Sequence, residues 1–149
     1  MLEMPILIAD DFQDDVDLFK IAIQQAGVLN PVFVVHDGGE AVGYLQGQGA
    51  FADRARFPLP RVLFLDLKMP RMDGFEVLQW LKENPQFDET LVVVLSGAGE
   101  AREINRAYQL GADTFIVKPF RRDDIESLIK NHREHWHLGR QTCQGQYQN

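Results

Sequence analysis

Residues 62–65 read Val-Leu-Phe-Leu, four large apolar side chains in a row, and the run stops at Asp66. A strand with one wet face alternates polar and apolar residues, whereas an unbroken apolar run belongs to a strand covered on both faces, as at the centre of a parallel sheet. The stretch therefore predicts a central strand with a carboxylate at its carboxyl end. Pro70 and the Asp73-Gly74 pair turn the chain before Phe75, so Asp66 is expected at the lip of a loop, open to solvent and ligands. An Asp after a strand is usually only a turn former. Its company elsewhere in the chain gives this one more meaning.

Four further runs, apolar apart from Thr114, end in polar residues. Residues 6–9 stop at Asp10-Asp11, residues 32–35 precede Asp37, residues 91–95 run into Ser96-Gly97-Ala98-Gly99, and residues 114–117 end at Lys118-Pro119. Helical spacing fills the gaps. Val16, Phe19, Ile23 and Ala26 form one stripe, with Asp14 and Asp15 favourable at its amino end and Gly27 available to stop it. Ala41, Tyr44 and Leu45 mark a second helix. Phe75, Leu78 and Leu81 mark a third, which Asn84-Pro85 ends. Ile104, Ala107 and Tyr108 mark a fourth reaching Gly111, and a fifth runs from about Asp123 with Ile125, Leu128, Ile129 and Trp136 near one face. Residues 46–60 fit no period and predict a long loop pinned by Phe51 and Phe57.

Strands alternating with helices imply an α/β fold of the flavodoxin-like (βα)5 kind, a doubly wound parallel sheet in the order 2-1-3-4-5 between two helical layers. One domain is expected over residues 4–138, followed by a polar tail, residues 139–149, too rich in Gly and Gln to pack. A net charge of -7 and a pI near 5.0 argue against nucleic acid or an anionic membrane as partner. No apolar run approaches the ~20 residues of a membrane span, and the start Met1-Leu2-Glu3-Met4-Pro5 lacks the parts of a signal peptide, so a cytoplasmic location is expected. Cys143, the only cysteine, is expected to be a free thiol in the tail.

Ligands of such sheets bind beyond the carboxyl ends of the strands. The polar punctuation falls there: Asp10 and Asp11 after the first strand, Asp66 after the third, Ser96 after the fourth and Lys118 after the fifth. With the first and third strands adjacent, about 4.8 Å apart, the three carboxylates meet. Two like charges 4 Å apart repel by ~4 kcal/mol at the effective dielectric of a partly shielded site. A cation is required. A thiol-free, all-oxygen set suits Mg²⁺, with Mn²⁺ or Ca²⁺ able to substitute. Lys118 then offers a fixed positive charge to a phosphoryl oxygen and Ser96 a hydrogen bond, while Asp66 is placed to attack phosphorus.

Taken together, Asp10-Asp11, Asp66 with Met69-Pro70 and Asp73-Gly74, Ser96, and Lys118-Pro119-Phe120 resemble the receiver domain of two-component response regulators, over residues 4–135. The resemblance implies that Asp66 is the phosphoacceptor, that Asp10, Asp11, Asp66 and the main-chain carbonyl of Lys68 hold the metal, that Ser96 and Phe115 are the switch pair, and that Lys118 pairs with phosphoaspartate. It also implies a histidine kinase as phosphodonor, slow self-catalysed hydrolysis and no other enzymatic turnover. The long loop and the His135-Trp136-His137-Leu138 segment look like the small stand-alone receivers that partner phytochromes. That subgroup implies a homodimer through the fourth helix, fifth strand and fifth helix, with which Trp136 and Leu138 are compatible. Nothing after residue 138 is long enough for an output domain, so signalling is expected through protein contacts or relay to a phosphotransfer protein.

Rival readings carry specific deficits. A phosphatase of the haloacid-dehalogenase type resembles Asp-x-Asp, but position 68 is Lys. A flavin or dinucleotide module needs a phosphate-cradling glycine loop where this chain has Asp10-Asp11-Phe12-Gln13. His132, His135 and His137 do not make a tidy helical zinc pair, and Arg54/Arg56 and Arg121/Arg122 are expected to be solvated.

Overall fold

Hydrophobic patterning becomes layering in the computed structural model, which describes residues 4–97 and 101–139. The strands β1 (Ile6–Ala9), β2 (Val32–Val35), β3 (Val62–Asp66), β4 (Leu91–Ser96) and β5 (Thr114–Val117) form one parallel sheet in the order β2-β1-β3-β4-β5. They alternate with α1 (Gln13–Gln25), α2 (Gly38–Gln46), α3 (Gly74–Lys82), α4 (Ala101–Gln109) and α5 (Arg122–Asn131). This is the flavodoxin-like order expected from the sequence.

Side chains of each central strand divide between two cores. On one face Ile6, Ile8, Val62 and Phe64 pack with Val16 and Phe19 of α1 and Ile125 and Leu128 of α5. On the other, Leu7, Leu63, Leu65 and Val94 pack with Tyr44 of α2, Phe75 and Leu78 of α3 and Ala107 of α4. Both faces are covered, so β1, β3 and β4 are buried throughout and show no alternation. β5 lies at an edge and buries Ile116 alone among its residues.

Local chemistry then sets the loop after β3. Asp73 and Glu76 form a reciprocal capping box at the start of α3, with bonds of 2.9 and 3.0 Å. Gly74 is required for a close approach: a Cβ there would lie 2.4 Å from the carbonyl oxygen of Asp66. The next helix wall is tied in as well, because the Gly38 amide donates to the Met72 carbonyl at 2.9 Å.

Several sequence expectations need correction. Phe51 and Phe57 do pin the long loop, stacking edge-on at 5.3 Å beside Tyr44. Arg54, however, is not solvated: it donates to the carbonyls of Tyr44, Leu45 and Phe57 at 2.8, 2.5 and 3.1 Å. Those first two oxygens belong to the last turn of α2, where intrahelical donors run out, and the forked guanidinium supplies them. Tyr108 leaves the predicted stripe of α4 and is 40% exposed. The fifth helix ends at Asn131, short of Trp136.

Beyond α5 a 3-10 turn, Arg133–His135, redirects the chain back along residues 27–30, ahead of β2. Leu29 and Gly139 donate to the carbonyls of His137 and Gly27, each at 2.7 Å, around an antiparallel bridge between Val28 and Leu138. Buried Asn30 clamps this segment, donating to the Met4 and His135 carbonyls at 2.6 and 3.0 Å and accepting from the His137 amide at 2.7 Å. Trp136 is thereby carried into the core, 6.4 Å from Phe64. It is unavailable to a dimer interface, contrary to expectation. Of the tail, residues 140–149, with Cys143, lie outside the described residues, as do Ala98 and Gly99.

Trp136→Ala is expected to cost about 3–5 kcal/mol, the range for removing a buried aromatic, read by denaturant unfolding. Trp136→Phe is expected to cost much less, because the indole N–H it removes is enclosed without a partner.

Candidate functional site

The parallel register delivers the acids to one edge. Ile6 lies opposite Val62, so Ala9 stands beside Leu65, and Asp10 and Asp66 emerge as neighbours. Asp10 is fully buried, Asp66 is 6% exposed and Asp11 is exposed. One carboxylate oxygen from each of Asp10, Asp11 and Asp66 lies within 4.8 Å of the others. Backbone amides fix two of the three: Phe12 donates to Asp10 Oδ1 at 3.0 Å and Lys68 to Asp66 Oδ1 at 3.2 Å.

Lys118 enters from β5, whose end is held when its amide donates to the Ser96 carbonyl at 2.8 Å. Its Nζ lies 2.9 Å from Asp10 Oδ2, 3.2 Å from Asp66 Oδ2 and 2.6 Å from Asp15 Oδ2. The contact to Asp10 is an ion pair without an aligned hydrogen bond, leaving that enclosed oxygen with no directed donor. Burial by itself would depress the Lys118 ammonium, but its hydrogen bond to Asp15 and the close negative charges of Asp10 and Asp66 outweigh that and hold it above the usual range. Burial pushes the Asp66 carboxyl up, the Lys118 charge opposes this and the Asp10 charge adds to it, leaving Asp66 at about 6.

Asp10, Asp11, Asp66 and Lys118 are thus brought together as the sequence predicted. Ser96 is buried at the end of β4, one residue past the partner of Asp66 in the register. Lys68 turns its side chain outward, 3.9 Å from Glu103. Phe115 is not a core residue: it is 37% exposed on edge strand β5, with its ring 6.1 Å from Tyr108. The acids are the sole grouping suited to a metal among the described residues, and the histidines do not join it. Asp15 is the residue that sequence reasoning missed. An acid in the first turn of a helix already has an ordinary electrostatic reason to be there, so nothing singled it out.

Comparison with known proteins agrees with this geometry. Residues 6–130 match the response regulator receiver domain. The chain belongs to that family. Among solved structures, the bacteriophytochrome response regulator AtBRR is 34% identical, with 94% of this chain and 99% of that one covered and a TM-score of 0.82. Response regulator RPA3017 in red light signalling of R. palustris is 30% identical over 91% of this chain and 98% of its own, with a TM-score of 0.80. Response regulator Rcp1 of Synechocystis sp. is 27% identical over 131 residues, 88% of this chain and 87% of Rcp1. A structure of the Mn²⁺-bound form of Rcp1 covers 86% of this chain at a TM-score of 0.71 and 26% identity.

Receiver domains are signalling modules that bind a divalent metal, and the residues here fit one. The acid cluster of this receiver offers only hard oxygen ligands, one of them fully buried and lacking a directed donor, the donor set that Mg²⁺ and Mn²⁺ take. No helix among the described residues is long and apolar enough to cross a membrane.

Stability should report the raised Asp66 carboxyl. Between the unfolded value of 3.8 and about 6 the folded state binds the extra proton, so in metal-free protein this group's contribution is present at low pH and is lost as pH rises through 6. Asp66→Asn is expected to raise the melting temperature by a few degrees at pH 7.5 in EDTA. The gain should shrink toward zero by pH 4.

Proposed function

We propose that this receiver takes a phosphoryl group onto Asp66 from the phosphohistidine of a histidine kinase, in a reaction that needs Mg²⁺. The observation that carries the reading is the meeting of three carboxylate oxygens within 4.8 Å beside an ammonium 3.2 Å from Asp66. An Asp66 oxygen attacks phosphorus as the phosphorus–nitrogen bond breaks, and the electron pair remains on the imidazole. Asp10, Asp11 and Asp66, with the Lys68 carbonyl, would hold the cation, which when bound would neutralise charge on the phosphoryl oxygens. Lys118 pairs with another of those oxygens and Ser96 donates a hydrogen bond. Hydrolysis by water returns Asp66, and no other turnover belongs to the protein.

The fold supports a readout on the face of α4, β5 and α5. Tyr108, Phe115 and Val117 are 40, 37 and 41% exposed there, an apolar strip suited to a homodimer or an output partner. Phosphorylation draws Ser96 toward the phosphate and shifts Phe115 inward, biasing this face. Similarity to regulators of red-light and bacteriophytochrome signalling supports a phytochrome kinase as donor in the cytoplasm, with one receiver domain over residues 4–138 acting by protein contact or phosphorelay. Nucleic acid is not a partner.

Incubation with labelled phosphohistidine kinase or acetyl phosphate tests this. Wild-type protein should be labelled only with Mg²⁺, and EDTA or Asp66→Asn should abolish labelling while the fold persists by circular dichroism. Lys118→Ala should still be labelled, at least tenfold more slowly. Labelling of Asp66→Asn at the wild-type rate would sink the assignment.

A further inference from the structure

One carboxylate of the cluster has no task in that scheme. Asp10, Asp11 and Asp66 form the trio able to share a cation, yet the shortest contact of the Lys118 ammonium is to none of them. It is to Asp15, at 2.6 Å, against 2.9 Å to Asp10 and 3.2 Å to Asp66. Asp15 sits in the first turn of α1, with its amide bonded to the Phe12 carbonyl at 3.1 Å and its side chain only 19% exposed. Helix and capping loop thus aim a shielded carboxylate at Lys118 from outside the trio.

A divalent cation and this ammonium compete for carboxylate oxygens of Asp10 and Asp66. When a cation takes those oxygens it repels Lys118, whose side chain is 14% exposed, and an ammonium left there without a partner is costly. We propose that Asp15 is a positioning residue that retains Lys118 at the rim of the cluster, so that the cation can load without expelling the lysine and the phosphoryl group later finds it in reach. The proposal rests on the receiver reading above. It predicts that Asp15 acts on the metal through Lys118 and not as one more negative charge.

A double-mutant cycle on Mn²⁺ binding by titration calorimetry separates the two. Asp15→Asn should weaken Mn²⁺ about tenfold, because Lys118 falls back on Asp10 and Asp66, while Asp15→Glu should restore most of the affinity. In a Lys118→Ala background Asp15→Asn should change the affinity less than twofold. An equal loss in both backgrounds overturns the proposal, since a plain charge effect would persist without the lysine. Circular dichroism checks the fold of each variant, and Asp15→Ser replaces Asp15→Asn in the cycle if the latter is unfolded. Wild-type protein that takes no Mn²⁺ overturns the receiver reading and this proposal together. Wild-type binding with a failed cycle overturns only the role of Asp15.

Discussion

Repulsion among carboxylates at the ends of β1 and β3 is the constraint around which the molecule is arranged. Asp10 and Asp66 are both buried, and burial has already lifted Asp66 toward neutrality. Like charges this close cost on the order of 4 kcal/mol at an effective dielectric of about 20, so the edge of the sheet holds stored repulsion that only positive charge relieves. Lys118 supplies one charge from a strand two places away in the sheet. The remaining demand is what makes the site receptive to a divalent ion and, through it, to phosphate.

Keeping that edge in place requires a stiff frame. Three central strands buried on both faces leave little freedom for the residues that end them. The loop after Asp66 is tied back by the Lys68 amide, by the Gly74 approach and by the Gly38–Met72 bond. Arg71, at φ 65, adds an ion pair to the buried cap residue Asp37, whose carboxyl is held below its ordinary range mainly by that arginine. Motion is better accommodated at the edge strand β5, where three of the four side chains are not buried. A rigid chemical end beside a loosely covered face is an arrangement that can convert a local charge change into an altered surface.

The segment after α5 shows that the folded unit extends past the end of the family match at residue 130. Asn30 spends its side-chain hydrogen bonds on this segment and on Met4, and Trp136 fills space against Phe64. Phe64 in turn packs on Phe19, and Phe19 on Phe120, at 4.4 and 5.0 Å. The core between α1 and α5 is therefore built partly from residues adjacent to the site and partly from the far end of the chain.

Asp10, Asp11 and Asp66 were legible in the sequence because they follow apolar runs whose length and lack of alternation announce buried parallel strands, and Lys118 because it ends the last strand of the same alternating series, parallel strands putting their ends on one side. Strand periodicity and strand-end chemistry are local properties, carried by neighbouring residues. Asp15, Arg54 and Trp136 were not legible. Each had an adequate local reason to exist, as a helix-start acid, a surface cation and a helix-stripe aromatic, and each took its partner from an element distant in sequence or from a turn that the periodicity does not encode. The amino-acid sequence determined the strands, their carboxylates and the need for a cation. Only the tertiary structure decided which acid Lys118 would hold most closely, because that choice depends on ångström differences among oxygens brought together by three separate elements.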